Sequence, residues 1–165
     1  MNALRLAAWL ILALAFFGTL LVEGLAAQDR EPPYWAAIRY DGARMRVGPS
    51  RDFPIEWVYT RVGLPVMVIR QREGWRLVRD PDGAQGWISA NQLRRDRMVL
   101  VQGNDPVALR TSGEMTSEVR WRAEPGVLGR LLQCEDDWCE IDVDGRTGWV
   151  EAARIWGEEE PIADE

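Results

Sequence analysis

The chain has 165 residues and a formal net charge of −6, and it contains no histidine. It therefore lacks the Cys-His and Ser-His pairs of nucleophilic catalysis and the imidazole ligands of catalytic zinc sites, so we expect no catalytic residue, metal or cofactor. Its basic residues are all arginine, and because they form no patch interleaved with aromatic side chains, we expect no nucleic-acid partner.

Residues 1–27 have the pattern of an export signal. Arg5 precedes 17 residues without a charge, at 6–22, and small residues follow up to Ala27. A short basic start, an apolar run and a small-residue exit are typical of a secretory signal peptide, which we expect to be cleaved near Ala26 or Ala27. The alternative is an uncleaved membrane anchor through residues 6–22. Either way the sequence predicts export, to the periplasm of a Gram-negative bacterium.

A sequence pattern of twelve residues, called the frame below, occurs twice in the chain after residue 27. Residues 82–93 read DGAQGWISANQL and residues 144–155 read DGRTGWVEAARI. Three tryptophans recur with it, so that Trp57 aligns with Trp121, Trp75 with Trp138 and Trp87 with Trp149. We therefore divide the chain into copy one at 33–97 and copy two at 98–157, followed by an acidic tail at 158–165 that we expect to be disordered.

Each copy consists of short predicted strands joined by tight turns. In copy one the apolar, β-branched residues 64–70 predict one strand, Glu73-Gly74 a turn and residues 75–79 the next strand. The DPDG sequence at 80–83 predicts a hairpin turn, because proline presets φ and glycine accepts the left-handed conformation.

Copy two follows the same pattern. Asp144-Gly145 predicts a two-residue hairpin turn, and residues 151–155, like 89–93, fit a single helical or 3₁₀ turn. Since no segment after residue 30 sustains a helical period, the sequence predicts an all-β protein.

Two motifs of copy one resemble a known family. Residues 86–93, GWISANQL, are similar to the closing Gly-Tyr-Ile-Pro-Ser-Asn-Tyr-Val of eukaryotic Src-homology-3 barrels, and residues 45–50, MRVGPS, resemble the LR-x-GPS opening of bacterial SH3-like domains. The resemblance covers nearly all of the chain after the signal. It implies two tandem small SH3-like barrels, of a kind that cell-wall hydrolases carry beside a separate catalytic domain.

Cys134 and Cys139 are the only cysteines. In an exported chain an even pair predicts a disulfide. If Asp136-Asp137 forms a turn, Cys134 lies directly opposite Cys139, at a spacing that a disulfide bridges. We therefore expect a structural disulfide that staples one hairpin.

The acidic residues around this hairpin allow a second interpretation, as a calcium loop. Positions 1, 3, 5, 6 and 12 of an EF-hand correspond to Glu140, Asp142, Asp144, Gly145 and Glu151. Position 1 is a glutamate, however, and no helices flank the loop. We expect a solvated hairpin face and no metal site.

The tryptophans supply the candidate ligand groove. Trp138 alternates with core-type residues along its predicted strand, so it lies on the polar face. By the resemblance, Trp75 and Trp138 correspond to the first tryptophan of the pair that lines the eukaryotic peptide groove; the alternative is packing under a neighbouring loop or against the other copy. The candidate ligand-binding residues are Tyr59, Trp75, Arg76, Asn91 and Trp138. Trp57 and Trp121 are assigned to the core or to the contact between copies, and Trp87 and Trp149 to packing.

The groove differs from that of eukaryotic members at two positions. The groove's proline and tyrosine are replaced by Ser89 and Gln92 in copy one, and by Glu151 and Arg154 in copy two. Recognition of proline-rich segments is therefore not expected.

Charge is distributed unevenly between the two halves. Residues 28–97 hold 13 arginines against 9 acidic residues, a net +4, whereas residues 98–165 hold 6 against 16, a net −10. Peptidoglycan stem peptides carry free carboxylates, so a groove rimmed by Arg70, Arg72, Arg76 and Arg79 suits them. We expect a non-catalytic envelope module that recognises a cell-wall peptide or an envelope protein, chiefly through copy one. The alternative is a protein-interaction or scaffolding domain that docks by charge complementarity.

Overall fold

The computed structural model describes residues 31–160, and within them the chain is all-β. The predicted signal peptide at 1–27, its alternative as an anchor through residues 6–22, and the tail beyond residue 160 lie outside the described residues. Nowhere in 31–160 is there a helix of the length and apolarity that a membrane crossing requires.

Each copy forms one seven-stranded antiparallel sheet. The strands of copy one are β1 Tyr34–Ile38, β2 Ala43–Arg46, β3 Ile55–Tyr59, β4 Pro65–Arg72, β5 Trp75–Arg79, β6 Gln85–Ser89 and β7 Leu93–Arg94. Those of copy two are β8 Met98–Val101, β9 Val107–Arg110, β10 Val119–Ala123, β11 Leu128–Glu135, β12 Trp138–Val143, β13 Arg146–Glu151 and β14 Ile155–Trp156. The orders are β3-β2-β6-β5-β4-β1-β7 and β10-β9-β13-β12-β11-β8-β14, so the topology of copy one is repeated in copy two. The predicted all-β class and tandem barrels are confirmed.

The turns of the repeated frame have the predicted geometry. Asp144 and Gly145 join β12 to β13 with φ values of 52° and 84°. These left-handed conformations match the twist of a two-residue hairpin. A 3₁₀ turn then closes each barrel, as Ala90–Gln92 in copy one and Ala152–Arg154 in copy two, as predicted.

The glycine before each repeated tryptophan is required by a close approach of strands. A Cβ on Gly86 would lie 2.4 Å from Cγ of Met45, and one on Gly148 would lie 2.8 Å from Cβ of Leu109. In both barrels the strand that carries this glycine, β6 or β13, pairs with the second strand, β2 or β9, next to this point, and there is no room for a side chain. The glycine of the frame therefore recurs because each barrel has one such close approach.

Each barrel has its own apolar core, built by alternation along the strands. In β2, Ala43 and Met45 are buried whereas Arg44 is exposed. The buried core of copy one consists of Tyr34, Ala36, Ile38, Ala43, Met45, Tyr59, Val66, Val68, Val78, Ile88 and Leu93. That of copy two consists of Val99, Val101, Val107, Leu109, Ala123, Cys139, Ile141, Val150 and Ile155. The two separate cores confirm the prediction that each copy of the repeat is a domain of its own.

The cysteine hairpin has the predicted register. Cys134 pairs with Cys139 across β11 and β12, with Cα atoms 4.0 Å apart, and the two are joined by a disulfide. Cys139 and Ile141 are buried while Trp138 is half-buried on the opposite face. The prediction that Trp138 lies on the polar face of β12, opposite the core residues, is confirmed.

Copy two covers one face of copy one. All five residues of β1 are buried, although only alternate ones face the core of copy one. On the other face, Trp35 meets Trp156 of β14 edge-on and donates a hydrogen bond from Nε1 to the carbonyl oxygen of Glu159 at 2.7 Å. Arg97 donates to the carbonyl oxygens of Gly157 and Glu158 as well. Residues 158–160 are therefore docked on copy one, unlike the disordered tail expected for them.

One tryptophan assignment is wrong. Trp57, expected in the core or between the copies, is 58% exposed on β3. Its counterpart Trp121 is half-buried, packs against the core of copy two and donates from Nε1 to the carbonyl oxygen of Thr147 at 3.4 Å. The same residue type at the same position thus has opposite environments in the two copies.

Candidate functional site

A groove of about 380 Å³ opens on the outward face of copy one. It is lined by Tyr40, Arg44, Arg46, Arg51, Trp75, Ser89, Asn91 and Gln92. The cross-strand pair Trp75 and Ser89 brings the start of β5 beside the end of β6, where the 3₁₀ turn begins. The groove thus lies between β2 and the closing turn of the barrel.

The arginines of the groove come mainly from β2. Because Ala43 and Met45 fill the core, the alternating Arg44 and Arg46 face outward. The main-chain N–H of Arg44 donates to Oε1 of Gln92 at 3.2 Å, which ties β2 to the 3₁₀ turn. This hydrogen bond therefore fixes the position of β2 relative to the closing turn, and with it the width of the groove between them.

The groove has a positive potential. Arg46 donates from Nη1 to the carbonyl oxygen of Phe53 at 2.6 Å, which fixes its guanidinium. The guanidinium groups of Arg44 and Arg51 have no hydrogen bond or ion pair in the part of the chain that the structure describes. No acidic residue lines the groove. These two guanidinium groups lie in the same groove as the indole ring of Trp75. The combination suits a ligand that carries an anionic group together with an apolar surface or a sugar ring.

Of the sequence-predicted residues, the structure places two in this groove. Trp75 and Asn91 line it, with Trp75 half-buried and Asn91 exposed. Arg76 does not, because neighbouring residues on a strand face opposite sides; it is 7% exposed and donates from Nε to the hydroxyl of Tyr34 at 2.9 Å.

Tyr59 lies in the core of copy one, at 4% exposure. Its hydroxyl donates to Oδ2 of the buried Asp80 at 2.8 Å, while Oδ1 of Asp80 accepts from the N–H groups of Asp82 and Ala84. Burial, and then the hydrogen bond to Asp80, raise the pKa of Tyr59 far above its usual range. This residue therefore anchors the hairpin turn that follows β5 instead of lining the groove.

Sequence reasoning missed the residues that give the groove its charge. The expected arginine rim at 70, 72, 76 and 79 is absent from the lining, which instead includes Tyr40 and the arginines 44, 46 and 51. The alternation of ARMR in β2 carried a usable signal for Arg44 and Arg46. Arg51 lies in the loop after β2, where the sequence has no periodic pattern.

The counterpart in copy two is smaller and partly covered. A pocket of about 190 Å³ is lined by Pro106, Val107, Ala108, Arg110, Arg122, Trp138, Val150, Glu151 and Arg154. A Cβ on Gly113 would lie 3.0 Å from Cβ of Trp138, so the loop after β9 covers this tryptophan. Arg154 donates from Nη2 to the carbonyl oxygen of Asp105 at 3.1 Å, and Glu151 adds a negative charge. Copy two therefore offers less room and fewer unengaged donors.

The acidic hairpin of copy two is engaged in an ion pair. Within residues 31–160 no group of three or more His, Cys, Asp or Glu side chains is arranged to hold a metal ion. Oδ2 of Asp142 lies 2.9 Å from Nη2 of Arg130, and this hydrogen bond holds the pKa of Asp142 below its usual value. Its other oxygen accepts from the N–H of Gly145.

The chain was compared with known proteins. A family model described as bacterial SH3 domain matches residues 39–95 and 103–157. Comparison with curated proteins gave no match. Among solved structures, the chain is similar to NlpC2 from Trichomonas vaginalis, at 11% identity and a TM-score of 0.35, over 77% of this chain and 49% of that one. It is similar to NlpC1 from the same organism at 12% identity and a TM-score of 0.34, over 79% and 48%. The chain thus spans about half the length of each.

Proposed function

The chain belongs to the bacterial SH3 domain family, with one domain in each copy, and from this premise we propose that it is a non-catalytic module that binds the cell envelope through the groove of copy one. The observation that carries the proposal is the groove's lining, in which an indole ring lies among arginines without any acidic residue. The absence of histidine from the chain supports a binding role over catalysis.

The ligand that this lining favours is a peptidoglycan stem peptide, or an envelope protein that presents a similar anionic segment. Guanidinium groups bind carboxylates through paired hydrogen bonds, and Arg44 and Arg51 offer such groups. Trp75 provides a flat apolar surface for an aliphatic side chain or a sugar ring, and Asn91 a polar side chain for peptide amides.

The location follows from the same set of features. A bacterial SH3 domain and a disulfide are consistent with an extracellular or periplasmic place. We propose the periplasm, reached through the export signal at residues 1–27, with residues 6–22 retained as an anchor if the signal is not cleaved.

A pulldown with purified sacculi tests the proposal. Wild-type protein should sediment with the sacculi, and Trp75→Ala should remain largely in the supernatant. Trp138→Ala is the matched control, because it removes the same side chain from the smaller pocket of copy two. Wild-type protein that stays in the supernatant would exclude peptidoglycan as the ligand.

The uneven charge supports a second candidate, a scaffolding domain that docks by charge complementarity. The net +4 of residues 28–97 and the net −10 of residues 98–165 attract one another between molecules. Light scattering across a salt series distinguishes this function, because such association weakens as salt rises. A monomer at all salt concentrations counts against it.

A further inference from the structure

The exposed apolar side chains of the protein are concentrated in one part of copy one. Of the nine large hydrophobic residues exposed within 31–160, seven lie between residues 40 and 62. They are Tyr40, Val47, Phe53, Ile55, Trp57, Val58 and Val62. Single exposed apolar residues are ordinary, but several within one short segment favour an interaction surface. Five of the seven belong to the hairpin formed by β2 and β3, residues 43–59, which we call the apolar hairpin.

The apolar hairpin carries arginines next to its apolar side chains. Across the two strands, Val58 pairs with Arg44 and Ile55 with Arg46. At the loop, the ring of Phe53 packs on Gly48, where a Cβ would lie 2.6 Å from the ring. Trp57 pairs with the core residue Met45 and therefore lies on the opposite face of the hairpin from Val58 and Arg44. Apolar side chains thus flank the edge strand β3 on both faces, and the guanidinium groups lie on one of them.

Copy two shows that the fold does not require this surface. The residues of copy two that correspond to Phe53 and Val58 are Ser117 and Arg122. Where Trp57 is 58% exposed, Trp121 packs against the core. Copy two keeps one exposed large apolar residue in the corresponding hairpin, Met115, against five in copy one.

Two features indicate the kind of partner. First, β3 is an edge strand, but its pairing with β2 shifts register between Met45 and Arg46, which marks a bulge. A bulge twists an edge away from regular pairing, so the strand is poorly suited to receive a peptide or a second copy.

Second, the charge is arranged to orient the molecule on an anionic surface. The apolar hairpin has Arg44, Arg46 and Arg51 against Asp52 and Glu56, within a half of net +4, while the other half has a net −10. An anionic surface attracts the first half and repels the second. Tryptophan combines a large apolar ring with a polar N–H and therefore favours the boundary between hydrocarbon and water.

We propose that the apolar hairpin docks copy one on the surface of a bilayer that contains anionic phospholipid. The exposed edge of β3 enters the headgroup region together with Phe53, with Trp57 on one face of the strand and Ile55 and Val58 on the other, while Arg44 and Arg51 contact lipid phosphates. This binding is distinct from groove recognition, because it depends on Trp57 and not on Trp75. The two functions share arginines, so the test uses the apolar residues.

Vesicle flotation tests the proposal with residues 28–165, the exported form that retains both barrels and the tail. Wild-type protein should float with vesicles of phosphatidylglycerol and phosphatidylcholine, and far less with phosphatidylcholine alone. Trp57→Ala should weaken partition about tenfold, and the isosteric Val58→Thr should weaken it less. Leu132→Ala, which removes an exposed apolar side chain from copy two, is the matched control and should float like wild type.

A second variant tests the position of Trp57 directly. Trp57→Phe keeps an aromatic ring and should still float, but it should lose much of the fluorescence quenching caused by lipids with brominated acyl chains. The proposal is overturned if wild type does not float, if Trp57→Ala floats like Leu132→Ala, or if quenching is unchanged in Trp57→Phe. A dimer that depends on Trp57 and forms without vesicles would assign the hairpin to a second copy instead.

Discussion

Trp35 of copy one and Trp156 of copy two meet edge to face, with ring centroids 4.6 Å apart and ring planes at 83°. This geometry aligns the positive edge of one ring with the negative face of the other, and it is worth about 0.5–1.5 kcal/mol beyond area burial. The hydrogen bond from Trp35 to Glu159 adds a main-chain contact from the end of copy two. Trp35 therefore makes two contacts across the boundary between the barrels, in addition to those that Arg97 makes with Gly157 and Glu158.

The first prediction concerns that side chain. Trp35→Ala should lower the free energy of unfolding by about 3–5 kcal/mol, because it opens a cavity between the barrels. Denaturant titration followed by circular dichroism measures the loss. Trp57→Ala is the control, since Trp57 is largely exposed, and should change stability by less than about 0.5 kcal/mol. Equal losses would contradict the described contact.

The second prediction concerns the buried pair of Tyr59 and Asp80. Tyr59→Phe should cost about 1–3 kcal/mol, because it leaves one oxygen of a buried carboxylate without its donor. The pKa of Tyr59 is raised in the folded state, so its contribution is complete below about pH 10, the pKa of an unfolded tyrosine, and is lost as pH rises further. Melting temperatures from pH 8 to about pH 11 should fall less steeply in Tyr59→Phe than in wild type. Parallel curves would count against the buried hydrogen bond.

The third prediction concerns the disulfide between Cys134 and Cys139. Alkylation of the unreduced exported protein should find no free thiol by mass spectrometry. Reduction should cost about 2 kcal/mol and lower the melting temperature without abolishing the fold, because the bond closes a short loop within one hairpin. The double variant Cys134→Ala/Cys139→Ala should show no further change with reductant. Two alkylated cysteines in the exported protein would refute the bond.

The fourth prediction concerns affinity for an anionic stem peptide, measured by calorimetry. Trp75→Ala should cost about 2 kcal/mol if Trp75 is a central anchor of the groove, and Trp138→Ala far less. A larger loss at Trp138 would show that copy two carries the binding.

Two arginine variants, one inside the groove and one outside it, form a matched pair for the same calorimetric measurement. Arg44→Ala, which introduces the alanine found at position 108 of copy two, should cost about 1–2 kcal/mol and reduce the salt dependence. Arg72→Ala removes an exposed arginine outside the groove and should leave the affinity unchanged. Equal losses from the two variants would mean that general charge, not the groove, attracts the peptide.

The elements that could be predicted from the sequence are those governed by local rules. The Asp144-Gly145 turn and the pairing of Cys134 with Cys139 depend on backbone conformation and on strand periodicity, which a short stretch of residues determines. The repeat itself identified the two barrels, although only the structure shows that Gly86 is required by the close approach of Met45 on the neighbouring strand.

The lining of the groove could not be predicted in full from the sequence, because it is formed by segments that are distant along the chain. Selecting both Trp75 and Arg76 as candidates overlooked strand alternation, which allows only one of them on the groove face. Arg51 reaches the groove from a loop whose path no local pattern indicates. Likewise Trp57 and Trp121 align in sequence, but their burial is set by the surrounding side chains, which differ between the copies.

The hydrogen bond between Trp35 and Glu159 spans 124 positions of the chain. The ribosome synthesises a polypeptide from its N-terminus, so all seven strands of copy one are made before the residues that cover β1. Until Trp156 and Glu159 follow, Trp35 lacks both of these partners, and one face of β1 is uncovered. Removal of the last ten residues would therefore delete only a small part of copy two. It would nevertheless remove both partners of Trp35 and so uncover one face of copy one.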